Sequence, residues 1–344
     1  MAEIGAAQVT LLCYSDDPAP PWLPAEVSVR RLAARRASRM LPGLIGYLRA
    51  EQPDVLIARQ MHANFIALAA ASLARAPGWR GKLVLVQDHL VELTHADNWR
   101  DNKWLARACY RFADGVIAPS PTVCKDVARW CRLDPATVGL VPNPIPKYAG
   151  ALRPPPHPWL ADGQPPVFVN VGRMIPLKRA DLLIDAFAEL RRKHRARLLI
   201  LGDGPMRRPS DEQIGRLGLS GDAQTLGWID DPLPFAAAAH ALVHSSDEDG
   251  FAQVLTEAMS AGCAVITTDA QGGGPRFVTG DGEYGLLVPR ADRAALADAM
   301  EQMLHPQVRR HFAERGYQRA EQLSPAASGR ALAGFLTGSL GIRQ

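Results

Sequence analysis

The chain has 344 residues, 47% of them hydrophobic, and a formal net charge of +4, which is room for two domains of about 150 residues with ordinary globular cores. Its five cysteines, Cys13, Cys109, Cys124, Cys131 and Cys263, show no CxxC spacing, which argues against a disulfide or zinc framework and for the reduced thiols of a cytoplasmic protein. The longest apolar run, Phe65–Ala74, has ten residues, and a membrane span needs about twenty.

The start, "MAEIGAAQVTLLCYSDD", places no basic residues before an apolar run, so no secretory signal is expected. In the first half, "QVTLLCY", "DVLIA", "KLVLVQ" and "GVIAPS" read as strands. The segments "SRMLPGLIGYLRAEQ", "HANFIALAAASLARA" and "KWLARACYRFA" read as helices. Such alternation predicts a parallel sheet covered on both faces. Residues 1–150 carry a net +5 and the remainder −1. The stretch "VRRLAARRASRM", Val29–Met40, holds five arginines. It reads either as a solvated loop and helix start or as a patch for anionic lipid or an anionic acceptor.

A proline-rich run, Pro142–Trp159, follows. It suits neither a helix nor a central strand and is read as an interdomain linker. The second half repeats the scheme, with strands "PVFVNV", "RLLILG", "ALVHSS", "AVITTD" and "YGLLVP". The helix "ADLLIDAFAELRRKH" ends in a basic turn that suits its dipole. In open parallel sheets ligands sit beyond the carboxyl ends of the strands, so the loops after strands are the place to look.

After "VFVNV", Gly172 allows a tight exit, and Arg173 and Lys178 precede a helix. Two cations beside free helix amides suit an anion, although a solvated surface loop has the same composition. "GDGP", Gly202–Pro205, marks a tight turn at the same edge. After "ALVHSS" come "DEDG" and the predicted helix "FAQVLTEAMSAG", stopped by Gly262. Asp249 stands at the helix start, where it would cap the amides, and Glu257 lies two turns on among apolar residues. At about 100° per residue the two carboxylates need not point the same way. A half-buried Glu257 needs a hydrogen-bond partner, either internal or the hydroxyls of a ligand.

The run from "GRMIPLKRADLLIDAFAEL" through "ILGDGP", "LGWIDD" and "DEDGFAQVLTEAMSAGCAVITTDAQGGGPRFV" to "YGLLVP" resembles the C-terminal domain of family 4 glycosyltransferases of GT-B fold. The resemblance covers nearly all of residues 165–290. It implies two Rossmann-like α/β domains facing a cleft, and retaining transfer of a sugar from a nucleoside-diphosphate sugar to an acceptor hydroxyl. By that resemblance Arg173 and Lys178 hold the diphosphate, Glu257 takes the ribose hydroxyls, and Asp249 with the backbone of Gly250, Phe251 and Ala252 faces the donor sugar. Gly172 and Gly202 line the donor side. The first acid of the family's motif is usually Glu, and Asp249 is one methylene shorter.

In the first half, "LVLVQDHL" resembles the segment where the family places a histidine near the donor sugar, which assigns that role to His89. "ADGVIAPSPTVCKDVA" and "VGLVPNPI" also resemble family segments. The implied layout is an acceptor-side domain over 1–147, a nucleotide-sugar domain over 148–321, and a C-terminal helix over 322–344 crossing back. "AEIGAAQVTLLCY" resembles the end of the family's first helix and its second strand, so the first βα unit is expected to be missing and transfer to be impaired.

The expected partners are a nucleotide-sugar donor, a glycan or lipid-linked acceptor in cell-surface polysaccharide synthesis, and the anionic inner face of the cell membrane. No nucleic acid, cofactor or metal is expected, because Arg173 and Lys178 already supply positive charge to a diphosphate. Three alternatives stay open: a metal clamp built from Asp247, Glu248 and Asp249, a degenerate transferase that binds a nucleotide sugar or a partner without turnover, and a nucleotide-sugar epimerase.

Overall fold

The computed structural model describes residues 8–13, 23–32, 40–75, 78–93, 102–145 and 156–342. The chain divides into two compact units, one holding Met1–Pro142 with Ala326–Gln344, the other Asn143–Pro325. Most of the proline-rich run, 146–155, and part of the arginine-rich segment, 33–39, lie outside the described residues.

In the first unit, β1 (Thr10–Cys13) pairs in parallel with β2 (Ser28–Arg31), Leu11 opposite Val29. β2 corrects the reading of a loop at that point, because backbone pairing with β1 outweighs the polar side chains. The chain continues through α1 (Met40–Glu51), β3 (Val55–Arg59), α2 (Met61–Arg75), β4 (Lys82–Val86), α3 (Lys103–Cys109), β5 (Gly115–Ala118), α4 (Pro121–Cys131) and β6 (Val138–Leu140). The four strands β3 to β6 lie in chain order, all parallel. β4 reads as an unbroken apolar run because both its faces are covered, and Leu83, Val84 and Leu85 are fully buried. Ser120 Oγ caps α4 by accepting from the Val123 amide, with Pro121 in the first turn, where its missing N–H costs nothing.

The second unit runs β7 (Val167–Val171), α5 (Ala180–Lys193), β8 (Arg197–Leu201), α6 (Arg207–Arg216), β9 (Ala223–Gly227), α7 (Leu233–Ala238), β10 (Ala241–His244), α8 (Gln253–Ser260), β11 (Val265–Thr268), α9 (Gly274–Thr279), β12 (Leu286–Val288), α10 (Arg293–Met303) and α11 (Pro306–Gln322). Its sheet has the order β12-β11-β10-β7-β8-β9, all parallel. The apolar stripe of α5, with Leu183, Ile184 and Phe187 fully buried, packs into the main core. Each such side chain contributes about 1.5–3 kcal/mol.

The order carries a functional consequence. The chain winds outward from β7 through β8 to β9, then returns to β10 on the other side of β7 and winds outward again to β12. The point between β7 and β10 is a topological switch, where the following loops diverge and leave a crevice at the carboxyl edge.

A last helix, α12 (Pro325–Gly334), and the π-helical turn Phe335–Ser339 carry the chain onto the first unit. Phe335 packs on Val84 and Ile117. Added Cβ atoms at Gly115 and Gly139 would come within 2.8 and 2.5 Å of its ring, so both positions have to be glycine to admit it.

Candidate functional site

Four loops meet at the carboxyl edge of the second unit's sheet. The loop after β7 begins at Gly172, whose amide donates to Leu201 O (3.0 Å). Met174 is buried and stitches this loop to the next, since its amide donates to Asp203 O and its carbonyl accepts from the Met206 amide, both at 2.8 Å. The backbones approach so closely that a Cβ at Gly202 (φ +135°) would lie 1.8 Å from Gly172 O. Gly202 is thus required by packing, with no side chain to offer a donor. Arg173, next to the anchored Met174, is exposed. No ion pair engages its guanidinium among the described residues.

A 3-10 turn, Pro176–Lys178, leads into α5 through Arg179, which adopts a left-handed φ of 50°. Arg179 bridges Asp181 (Nε to Oδ1, 3.0 Å) and Asp247 (Nη1 to Oδ2, 3.0 Å). Its charge was missed in sequence because both partners look like surface acids. Ser245 Oγ donates to Lys178 O at 2.9 Å, and the Asp247 amide donates to Leu177 O at 2.9 Å. The loops after β7 and β10 therefore form one layer.

Asp249 is the hub of that layer. Its Oδ2 accepts from Lys178 Nζ at 2.6 Å and lies 3.2 Å from His244 Nε2. Its Oδ1 accepts from the amides of Phe251 (3.2 Å) and Ala252 (2.6 Å). Burial pushes its carboxyl up, but the His244 hydrogen bond and the Lys178 ammonium outweigh that and hold it well below the usual range. His244 is fully buried, and burial holds it below its ordinary value. It is fixed by Thr267 Oγ1 (2.9 Å) and Ser246 Oγ (2.9 Å). Its role was not read from "ALVHSS", where a single His closing an apolar strand gives no signal.

This geometry revises two expectations. Asp249 does not start a helix that reaches Glu257 two turns on, because α8 begins at Gln253, behind a left-handed Ala252 (φ 58°). The amides of Phe251 and Ala252 are already taken by Asp249, and the Phe251 side chain is buried against Phe277. That segment thus has less backbone to give a ligand than the resemblance implied. Lys178, in contrast, keeps donor capacity, because an ammonium has three N–H groups and Asp249 Oδ2 is the one acceptor found for them among the described residues.

The loop after β11 closes the layer. The Asp249 amide donates to Gln271 O (2.8 Å), and the Gly274 amide donates to Asp249 O (3.1 Å). A Cβ at Gly272 (φ +97°) would sit 2.6 Å from Asp249 O, and one at Gly274 would sit 2.3 Å from Phe251 N. The glycine triplet therefore lets β11's loop lie against the Asp249 turn.

α8 carries the remaining groups. The first-turn amides of Gln253 and Val254 precede any helical acceptor, and no side chain caps the helix. Glu257 is half-buried, and burial raises its carboxyl despite the hydrogen bond from Gln253 Nε2 to Oε1 (3.0 Å). No partner is found for Oε2 among the described residues. Gln253 is the internal partner the sequence left unidentified, and it satisfies only half of the carboxylate. Asp247 and Asp249 are paired with Arg179 and Lys178. Among the described residues no group of three or more His, Cys, Asp or Glu gathers as a metal site.

His89 belongs to the first unit, on the exposed loop after β4, with its carbonyl accepting from Gln87 Nε2 at 2.7 Å. Beside it Asp88 holds Arg59 in a bidentate pair at 2.9 and 3.0 Å.

Comparison with known proteins places both halves. Residues 156–319 match the family model "Glycosyl transferases group 1", and residues 5–147 match "Glycosyltransferase Family 4". The lipopolysaccharide core biosynthesis glycosyltransferase LpsE of Rhizobium meliloti is 35% identical over 154 residues, 44% of each chain. The N-acetylgalactosamine-N,N'-diacetylbacillosaminyl-diphospho-undecaprenol 4-alpha-N-acetylgalactosaminyltransferase of Campylobacter jejuni is 28% identical over 70% of this chain and 64% of its own. The chain thus spans less than two thirds of these relatives. Anabaena HepE in complex with UDP superposes with a TM-score of 0.76 at 20% identity, over 91% of this chain and 86% of that one. Sucrose-phosphate synthase of Thermosynechococcus elongatus gives 0.78 at 20%, over 99% and 91%. At such identities the likeness is one of fold, and the fold is GT-B.

Proposed function

We propose, for a GT-B chain whose two halves each match a glycosyltransferase family model, that it transfers a sugar from a nucleoside-diphosphate sugar to a hydroxyl of a glycan or lipid-linked acceptor, with retention, in cell-surface polysaccharide synthesis. One observation carries the reading. At the switch point between β7 and β10, the unpaired Arg173 and the anchored Lys178 lie on the loop stitched to the turn that leads into the uncapped start of α8, and Glu257 on that helix keeps a free carboxylate oxygen. That set suits a diphosphate and a ribose.

As the glycosidic bond breaks, negative charge grows on the leaving diphosphate. Arg173, the spare N–H groups of Lys178 and the α8 amides meet it without reorganising. Asp249 acts in this reading by fixing the Lys178 ammonium and turning the chain into α8. Glu257 Oε2 receives ribose hydroxyls. No residue is assigned as a covalent nucleophile, and no metal enters the scheme. Structures of HepE with UDP, with UDP and glucose, and with UDP-glucose, and the lipid-linked acceptor in the name of the Campylobacter relative, support the choice of substrates. Among the described residues no helix is long and apolar enough to cross a membrane.

The test is a thermal-shift panel of nucleotide sugars, followed by turnover of the labelled best binder. Ligand bound only by the folded chain raises the melting midpoint. Label moving to a glycan or lipid acceptor supports transfer. A shift without turnover supports the binding-protein alternative, and no shift with any nucleotide sugar defeats the reading.

A further inference from the structure

His244 closes β10 and touches the acid that holds Lys178. Its Nε2 stands 3.2 Å from Asp249 Oδ2 and 2.9 Å from Ser246 Oγ, and its Nδ1 stands 2.9 Å from Thr267 Oγ1. His244, Ser246 and Thr267 are all buried. The same Asp249 Oδ2 accepts from Lys178 Nζ at 2.6 Å. One carboxylate oxygen thus stands between an ammonium and a buried imidazole. The neighbouring Ser245 Oγ donates to Lys178 O at 2.9 Å, so the end of β10 grips Lys178 through its backbone and, by way of Asp249, through its side chain.

The hydrogens around the ring fit two protonation states. Asp249 is held ionised and only accepts, so Nε2 carries a hydrogen. In the neutral ring Nδ1 is then an acceptor, and the Thr267 hydroxyl donates to it. That hydroxyl has one hydrogen and a second acceptor in reach, Thr268 O, 3.1 Å from Thr267 Oγ1. When the ring gains a proton, Nδ1–H donates to Thr267 Oγ1, and the hydroxyl turns its hydrogen to Thr268 O. Both states are therefore hydrogen-bonded at both ring nitrogens, and the exchange turns a single hydroxyl. Among the described residues the charged groups that face the ring are Asp249, from the turn into α8, and Lys178, from the loop after β7, while β11 faces it with the neutral Thr267. In the free chain burial favours the neutral ring, and the three groups together carry no net charge.

A diphosphate changes that balance. As it draws on the spare N–H groups of Lys178, it adds negative charge to a neutral set and loosens the hold of the ammonium on Asp249 Oδ2. An imidazolium answers both, by donating to Oδ2 where little water screens the exchange. We propose that His244 is a positioning residue of the donor site, which takes a proton from solvent onto Nδ1 when the diphosphate of a nucleotide sugar engages Lys178. The proton stays on the ring while the donor is bound and returns to solvent when the nucleotide leaves, and no bond to the donor forms or breaks at His244. The proposal rests on the reading of Lys178 as a diphosphate ligand and deepens it. Donor affinity becomes proton-linked through His244. That contribution strengthens binding as pH falls through the range where the bound ring is charged and the free ring is not.

The experiment is isothermal titration of the full chain with UDP-glucose, or with GDP-mannose if that shifts the melting midpoint further, in buffers of different ionisation heat. The buffer dependence of the heat counts the protons taken up per donor bound. His244→Gln keeps an N–H for Asp249 and cannot take a proton, while Glu257 and His240 titrate in parent and variant alike, so the difference between the two belongs to His244. The parent should take up about a quarter of a proton more than His244→Gln, averaged between pH 8 and pH 6, and its affinity should rise roughly threefold more over that range. Thr267→Val removes the acceptor for Nδ1–H and should remove most of that difference with His244 still in place. Long-range proton–nitrogen spectra of the parent labelled in histidine keep the test decisive if His244→Gln does not fold: one ring should pass from the neutral to the charged pattern on adding donor at about pH 6.5. The proposal fails if parent and His244→Gln take up protons equally, or if no ring of the parent becomes charged on donor binding. In either case the donor still binds, and the reading of the donor site stands. Should no nucleotide sugar of the panel bind at any pH, that reading falls and this proposal falls with it.

Discussion

Lys178 and Asp249 stand 71 residues apart in the chain and meet at 2.6 Å. The contact joins the loop after β7 to the loop after β10, and it fixes a cation at the switch point of the sheet while capping the turn into α8. Its partial burial, with side chains 26% and 16% exposed, makes it a structural element as well as a chemical one.

Replacing Lys178 by Met should therefore destabilise the fold and abolish donor binding together. Asp249 would be left charged and largely buried, with His244 and two amides as partners. Breaking a buried pair costs about 3 kcal/mol at the low end, and the exposed part of Lys178 argues for that end. Urea denaturation measures it, and an unchanged midpoint would show that the pair contributes nothing to stability.

Arg173→Ala should behave in the opposite way. The guanidinium is exposed and makes no ion pair among the described residues, so stability should change by no more than about 0.5 kcal/mol. Losing an electrostatic contact to a leaving group costs about 3–4 kcal/mol in the transition state, roughly 100- to 1000-fold in turnover. Near-normal turnover by this variant would remove the diphosphate role.

Glu257→Gln should weaken nucleotide-sugar binding with the melting midpoint of the free protein preserved, since Gln253 can still pair with an amide. The raised carboxyl adds a pH signature. Binding through the carboxylate should be lost on acidification at a higher pH than for an ordinary glutamate. Isothermal titration across this range checks both, and a pH-independent affinity would point to a purely internal acid.

His240 is pushed down to about 4, first by burial and then by Arg309. The unfolded chain therefore binds more protons than the folded one below the ordinary histidine value. By linkage, stability is fully present above about 6.5 and declines as pH falls toward about 4. Buried His244 acts in the same direction. Melting midpoints should fall between pH 7 and pH 5, and the slope should flatten in His240→Gln. An equal slope in parent and variant would assign the acid sensitivity elsewhere.

The alternation of apolar runs and helical stripes was legible without coordinates. Runs such as "VFVNV" and "RLLIL" are buried on both faces, and "DLLIDAFAEL" repeats its apolar residues every three or four positions; these signals are local, carried by consecutive side chains. So was the identity of the loops that bear Arg173, Lys178 and Asp249 and of the helix that bears Glu257, because strand ends and glycines mark them. What each residue touches was not legible. Asp249 is bound by Lys178 and His244, Arg179 by Asp247, and Glu257 by Gln253. The Lys178 and Arg179 contacts exist because β10 lies beside β7, a neighbour relation made only when the chain returns past β8 and β9, whereas His244 is five residues from Asp249. β2 is the same kind of case, a polar arginine-bearing segment that is a strand because β1 offers it a ladder. Local pattern sets which segments become strands and helices, whereas long-range pairing sets which charges are neutralised and which remain for a ligand, because an ion pair depends on distance in space and carries no periodicity along the chain.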